Sequence, residues 1–298
     1  MAPGADGRPD HRSVIGGCTV KRIGFAYNPT NEQALELRER ATGWCSVRGI
    51  DSWASPAGDL DALVRELPGT DALEVLGGDG TFLRAAQGAA LVDVPILGVN
   101  CGKVGFLSKA ESDVMESVLG QLTEGTWSME PRMMLEVRLL PDGDESRTQT
   151  HLALNDAAVV RGSMARVVRL EVNVDASHVA TWIADGLVVS SPTGSTGYSF
   201  SAGGPILDPT SRNIVVTSVA AYLSAVRTFV VSPVQSVNVR VLDAFDCMVS
   251  IDGRDEIPLH AGDEVRVRAR AQPLRFIEPR GALPFWELLR RKAELLPT

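Results

Sequence analysis

Gly77, Gly78, Asp79, Gly80 and Thr81 have the types and spacing of a phosphate-handling turn. A largely apolar run, Ala72 to Leu76, leads in, and a helical pattern (Phe82, Leu83, Ala85, Ala86, Ala89) leads out. Glycines let the backbone turn sharply and come close to a ligand. The start of the following helix offers unpaired N–H groups and a positive dipole end, which suit phosphate. Asp79 is the odd residue, because a carboxylate repels phosphate unless a metal or a proton transfer requires it there. The spacing points to phosphoryl transfer, with glycines holding phosphate and Asp79 acting on a hydroxyl or on Mg²⁺. The bland alternative is a Gly-Asp-Gly turn that closes a strand.

A second stretch, Ala184 to Pro205, contains eight Ser, Thr or Tyr residues and ends in Gly203-Gly204-Pro205. Hydroxyls and backbone amides at this density suit a sugar–phosphate ligand, and a surface loop with hydroxyl-capped turns is the alternative. Pro192 and Gly194 shape its turn, and Thr196 to Ser201 can open a short helix.

The elements that must position these stretches fall into two groups. Arg22 to Tyr27 reads as a first strand, and Thr30 or Asn31 caps a helix running to about Val47. Asp59 to Leu67 is a second helix, Val94 to Val99 a buried strand, and Glu111 to Leu122 a further helix. A second glycine loop, Asn100 to Leu107, lies between the last two. Alternating strands and helices imply a mostly parallel sheet covered on both faces. Ligands of such sheets sit outside the carboxyl ends of the strands, where both glycine loops fall.

From Met133 to about Ile277 short β-like runs dominate, among them Leu152 to Val160, Val167 to Val174 and Leu187 to Ser191, with turns such as Asp252-Gly253. Helical spacing returns from Leu283 to Leu295. The expected fold is therefore α/β plus β-rich. Residues 1–20 form a flexible tail, and residues 21–130 an α/β domain completed by 278–298. Residues 131–277 form the β-rich domain, and the last helix returns to the first domain. Trp182 and Trp286 read as core residues.

The chain has 298 residues, 44% hydrophobic and 22% charged, with a net charge of −8. That is a globular composition with ample length for a core. The acidic balance argues against general nucleic-acid or anionic-membrane binding, so anionic ligands must be held locally. Cys18, Cys45, Cys101 and Cys247 are scattered, and His11, His151, His178 and His260 lack ligand spacing, so no zinc site is expected. Reduced thiols in a cytoplasmic protein are the default expectation. No signal-peptide region and no apolar stretch of spanning length is read.

Gly77 to Thr81, together with Ser191-Pro192-Thr193-Gly194-Ser195-Thr196-Gly197-Tyr198 and Ser201 to Pro205, resembles the NAD kinase family. Diacylglycerol kinases, sphingosine kinases and 6-phosphofructokinases resemble the chain only in the Gly-Gly-Asp-Gly turn. Further matches are Gly98-Val99-Asn100, Gly102, Gly105-Phe106-Leu107, Asn155-Asp156, Ile251-Asp252-Gly253, and Phe285 with Leu289 to Lys292, in family order from about residue 22 to 295. The resemblance implies a Rossmann-like, phosphofructokinase-like α/β domain, a β-sandwich-like domain and a site between them. It implies phosphorylation of the 2′-hydroxyl of the adenosine ribose of NAD by ATP or polyphosphate, with a divalent metal such as Mg²⁺, in a homodimer or homotetramer.

By the same resemblance Asp79 is the general base, and Gly78, Gly80 and Thr81 hold phosphate. Arg84 reaches the ligand or lies on a solvated helix face. Asn155 and Asp156 contact ribose, although the family commonly has Glu at the second position. Arg166 matches a basic position near the ligand, or is an exposed hairpin arginine. Asp185 contacts the nicotinamide end, and Thr196, Gly197, Tyr198, Ser199 and Ser201 line the NAD site. Asp252 carries less weight as a turn acid. The chain departs from the family pattern at Ala221 to Thr228, where Tyr222 replaces a His and Thr228 a Pro. Gly197 stands for Ala, Ser191 for Thr and Arg254 for Gln. A diverged kinase with another nucleoside or nucleotide acceptor is the second reading, and a non-catalytic dinucleotide-binding regulator the third.

Overall fold

The structure is a computed structural model and describes residues 19–102, 105–163, 166–222, 224–243 and 246–294. Most of the expected N-terminal tail, Cys18, Lys103 and Val104 of the second glycine loop, Leu223 and Leu295 lie outside the described residues. Val20 is buried, and its N–H donates to Leu122 O at 3.4 Å.

The first half alternates as β1 (Arg22–Tyr27), α1 (Glu32–Val47), β2 (Asp51–Pro56), α2 (Leu60–Glu66), β3 (Ala72–Leu76), α3 (Asp79–Val92) and β4 (Ile96–Asn100). Then follow β5 (Ala110–Glu111), α4 (Met115–Glu124) and β6 (Ser128–Arg132). Asn31 caps α1 and Asp59 caps α2, each side chain accepting from an amide three residues on, which supplies a first-turn donor with its missing partner. Strands β3 and β4 are buried along their whole length, as central parallel strands covered on both faces must be.

Strands β2, β1, β3 and β4 lie side by side and parallel. β1 leads outward to β2 and β3 leads the other way, so the strand order reverses between β1 and β3. Asp79 follows the carboxyl end of β3, at that crevice. One face packs against α1 and α4 through Phe25, Leu37, Leu76 and Leu119. The other packs against α2 and α3 through Leu63, Leu73, Phe82 and Phe276.

One residue of β3 breaks the apolar rule. Glu74 is fully buried, with neither carboxyl oxygen hydrogen-bonded. Burial pushes its carboxyl up to about 8, close enough to Cys45 and Cys101 for its charge to bear on both thiols.

The β-rich half comprises β7 (Leu135–Leu140), β8 (Gln149–Ala153), β9 (Asp156–Arg161), β10 (Val168–Val174), β11 (Ser177–Ala184) and β12 (Gly186–Ser190). After α5 (Tyr198–Ser201) come β13 (Ile214–Val219), β14 (Thr228–Val231), β15 (Ser236–Asp243), β16 (Cys247–Ile251), β17 (Asp255–Leu259) and β18 (Glu264–Ala269). They form two six-stranded sheets, β11-β10-β15-β18-β7-β8 and β14-β13-β12-β9-β16-β17. Alternate residues point between them: Val137, Leu170, Val239 and Val267 from one sheet meet Val159, Leu187, Val216 and Val249 from the other in one core.

Leu152 to Val160, expected as one strand, divides at Leu154 and Asn155. β8 belongs to one sheet and β9 to the other. The chain then leaves this half through β19 (Leu274–Glu278), which lies between β4 and β6 in the first sheet, and ends in α6 (Phe285–Glu294). The crossing back therefore begins by Leu274, ahead of residue 278. Trp182 is core, as expected, but Trp286 is 54% exposed. It sits on the outer side of α6, where its indole N–H donates to Asp208 Oδ2 at 3.2 Å.

Candidate active site

The glycine turn opens α3 with Gly78 as its N-cap, and no side chain bonds the first-turn amides. Those donors are then available to an anion. Thr81 is buried, and a Cβ on Gly77 would lie 2.6 Å from Thr81 Oγ1. Thr81 thus packs under the turn, while Gly80 and Arg84 face outward.

Asp79 is aimed by the second glycine loop. Phe106 N–H donates to Asp79 Oδ2 at 2.9 Å and Leu107 N–H to Oδ1 at 3.1 Å. A Cβ on Gly105 would stand 2.1 Å from Asp79 Oδ1. Glycine at that position is what allows the loop to close on the carboxylate. With both oxygens tied to backbone, Asp79 has one orientation, and each oxygen keeps a further lone pair for a ligand hydroxyl.

Below this loop lies a charged cluster that the sequence did not announce. Lys109 is buried between Glu130, at 3.6 Å, and Glu278. Arg132 pairs with Glu130, stacks over Phe276 at 4.7 Å, and its Nη1 reaches Thr193 Oγ1 at 3.5 Å. The cluster joins the loop after β4 to the hydroxyl-rich turn of the other half.

The second part of the site is the corner between β8 and β9. Asp252, in a left-handed turn conformation (φ 52°), reaches across 96 to 98 residues of sequence. Leu154 N–H donates to its Oδ2 at 2.9 Å, and Asn155 and Asp156 N–H to its Oδ1 at 2.7 and 3.2 Å. The turn acid thus fixes the corner. Burial raises the Asp252 carboxyl, and the three amides and Arg254 oppose that rise. Burial and then Asp252 push the neighbouring Asp156 carboxyl up to about 7.

Asn155, Asp156, Tyr198 and Asp252 border a pocket of about 320 Å³ together with Ser250 and Gly253, a volume within the range of small-molecule sites. Asn155 Oδ1 is buried there with no hydrogen-bond partner. A buried acceptor without a donor is costly, and a ligand hydroxyl or amine would remove that cost. Tyr198 is exposed at the rim. Its phenol is raised by burial and then by Asp156 and Asp185, so it stays a neutral hydroxyl.

Thr193–Thr196 forms a 3₁₀ turn that runs into α5. Gly194 lies so close to Asn155 that a Cβ would fall 2.2 Å from the Asn155 carbonyl oxygen. Gly197 stands over the same corner, its added Cβ 3.8 Å from Asn155 Nδ2 and 3.9 Å from Asp156 Oδ2. Thr196 donates to Thr193 O at 3.4 Å, and Ser201 is exposed on α5. Ser199 is fully buried with its hydroxyl 3.4 Å from Thr217 Oγ1, in a packing position beneath the turn. Asp185 is paired with Arg161 at 2.9 Å. Arg166 lies exposed just before β10. Tyr222 is exposed, tied by its backbone N–H to Ile183 O at 2.8 Å.

The two parts meet along α3. Leu154 packs into the α2–α3 core, and Arg254 Nη1 donates to Gln87 Oε1 at 2.7 Å. Arg254 Nη2 also lies 3.7 Å from Asp252 Oδ2. The helix that carries Asp79 at its start is thereby fastened to the acid that fixes Asn155 and Asp156. The three described cysteines are unpaired and buried. No helix of the described residues is long and apolar enough to cross a membrane.

Two family models match the chain: ATP-NAD kinase N-terminal domain over residues 62–127, and ATP-NAD kinase C-terminal domain over residues 154–279. An NAD kinase of Dehalococcoides mccartyi (strain CBDB1) is 34% identical, covering 91% of this chain and 95% of that protein. One of Heliobacterium modesticaldum is 37% identical over 91% and 98%. Among solved structures, yeast NADH kinase complexed with NADH superposes with a TM-score of 0.80 at 19% identity, covering 94% of this chain and 89% of that one. An NAD kinase from Archaeoglobus fulgidus in complex with ATP gives 0.74 at 25% identity, covering 92% and 100%.

Proposed function

The chain belongs to the NAD kinase family, and from that premise we infer how its own residues divide the reaction. It is a phosphotransferase with NAD kinase activity. In our reading, Asn155, Asp156 and Tyr198 hold the adenosine ribose of NAD at the β8–β9 corner. Asn155 Oδ1 accepts a hydrogen bond from a ribose hydroxyl, and Gly197 lets the sugar come close. Asp185, Thr196 and Ser201 belong to the rest of the dinucleotide, with Arg166 and Arg84 at its margins. Gly78, Gly80 and the first turn of α3 receive donor phosphate.

Asp79 takes the proton as the 2′-hydroxyl O–H bond breaks and the ribose oxygen bonds to the terminal phosphorus of ATP. The bond from that phosphorus to its bridging oxygen breaks, and ADP leaves. Phosphoryl transfer relies mainly on positioning and charge. The observation that carries this reading is the clamp on Asp79: two backbone N–H groups fix a carboxylate at the mouth of a phosphate-type turn.

A divalent metal, Mg²⁺ in this proposal, does not find a protein cage here. Among the described residues no three of His, Cys, Asp and Glu converge as ligands. Such a metal would accompany the nucleotide phosphates, as Mg²⁺ commonly does, and would supply charge neutralisation there. The return of α6 to the α/β domain is supported by Phe285, whose ring centroid lies 6.3 Å from that of Phe106. A homodimer or homotetramer is supported by the exposed apolar side chains of Phe200, Tyr222, Val226 and Val230 on the β-rich half.

The test is NADP⁺ formation by the full chain with NAD, ATP and Mg²⁺, read through an NADP-specific dehydrogenase, which responds only to the 2′-phosphorylated product. Turnover supports the reading, and its absence with both substrates bound overturns it.

A further inference from the structure

We infer that Lys292, on the last helix, is the phosphate-donor clamp of the transfer site: its ammonium binds the terminal phosphate of the donor beside Asp79. The inference rests on the phosphotransfer reading above and adds a residue to it.

The placement comes from α6. Phe285, Leu288, Leu289 and Lys292 fall at i, i+3, i+4 and i+7, so they share one helix face. Leu288 is buried, and Phe285 packs beside Phe106. Two turns on, Lys292 Nζ stands 3.8 Å from the centroid of the Phe106 ring. Phe106 is the residue whose N–H holds Asp79 Oδ2. One residue, Phe106, thus carries the lysine on the face of its ring and holds the Asp79 carboxylate by its backbone N–H.

The electrostatics agree with the geometry. Burial lowers the Lys292 ammonium below the usual lysine range, and the charge of Asp79 opposes that shift. Among the described residues no carboxylate lies within ion-pairing distance of Lys292. A cation held on an aromatic face in a partly desolvated place gains some stabilisation from the ring, and an arriving phosphate would gain more from it than in open water. The need is evident from the net charge of −8: a polyphosphate donor can be held only where local cations offset that field. The acceptor corner at Asn155 and Asp156 is built by the β-rich half. Lys292 instead lies on the Phe106 side of Asp79, with the glycine turn.

The experiment compares Lys292→Gln, Lys292→Met, Lys292→Arg and the surface control Arg291→Gln with the parent chain. Calorimetry gives the Kd of ATP and of NAD separately, and steady-state assays give KM for each. The expected result is a 10-fold or greater weakening of ATP binding in Lys292→Gln and Lys292→Met, with a matching rise in KM for ATP. NAD affinity should stay within 2-fold, Lys292→Arg should recover most of the loss, and Arg291→Gln should match the parent. Lys292→Met keeps the stem on Phe106, so lost packing is controlled. Unchanged ATP affinity in both neutral variants overturns the inference, even if kcat falls. So does an equal loss for ATP and NAD. If the parent binds ATP but makes no NADP⁺, the functional reading fails while the ATP titrations still decide the role of Lys292.

Discussion

At the scale of single residues, the activity turns on how one carboxylate is held. Gly105→Ala would drive a methyl to within 2.1 Å of Asp79 Oδ1. The carboxylate must then leave its two amides, or the loop must withdraw. A displacement near 1 Å can cost about 10²-fold in rate, so Gly105→Ala should lower kcat by about 10²-fold with little change in NAD affinity. Wild-type turnover in that variant would show that the clamp is dispensable. Glu74 gives a second residue-scale test, this time of stability. Its carboxyl is raised in the folded chain from 4.5 to about 8, so the folded state binds the proton more tightly than the unfolded one. Its contribution is most favourable below pH 4.5 and declines as pH rises to about 8. Glu74→Met removes that decline and replaces an unpartnered acid with apolar volume. The variant should be more stable than the parent at pH 8, by roughly 1–4 kcal/mol, and the gap should shrink at pH 5. Urea unfolding at the two pH values checks this, and a gap independent of pH would contradict it.

At the scale of elements, the deciding feature is the corner between β8 and β9. Asp252 receives three consecutive amides there, so its carboxylate does for a sheet-switching corner what an N-cap does for a helix. Asp252→Ala leaves those buried donors without an acceptor, at about 1–3 kcal/mol for each unmet group. A loss of about 2–4 kcal/mol in urea unfolding is expected, with a 10-fold or greater weakening of NAD binding. Retained NAD affinity would mean that Asn155 and Asp156 keep their places without the staple. This corner was not legible in the sequence, because Leu152 to Val160 is a continuous β-like run and the residue that divides it lies about a hundred positions away. The strand, glycine turn and helix at residues 72–92 were legible, because their apolar spacing and glycines act locally. β2 was missed: Asp51–Pro56 is a polar strand at the edge of the first sheet, with little of the apolar run that marks β3.

At the scale of the whole molecule, the two halves are visible in the change from helical to β-like spacing near Pro131, and of their joining only the return of the last helix is read, not that of β19. β19 sits in the first sheet although it follows the twelve strands of the β-rich half in sequence. The ties across the site pair Arg254 with Gln87, Arg132 with Thr193 and Trp286 with Asp208. Gln87, Arg132, Thr193, Asp208 and Arg254 are ordinary surface-type residues locally and Trp286 reads as core, so only the fold brings the pairs together. For the same reason Lys292 stood in the sequence as a family match without a role. The central claim is that these halves bring a ribose hydroxyl at the β-rich corner to a fixed base at the α/β turn. It is tested most directly by the rate of NADP⁺ formation in Asp79→Asn at saturating NAD and ATP, with the Kd of NAD measured on the same sample. The account expects kcat to fall by about 10²–10⁴-fold, the range for loss of a general base, while NAD binds within a few-fold of the parent. Near-parental kcat would contradict the assignment of Asp79, and loss of NAD binding together with turnover would contradict the division of the site into two halves.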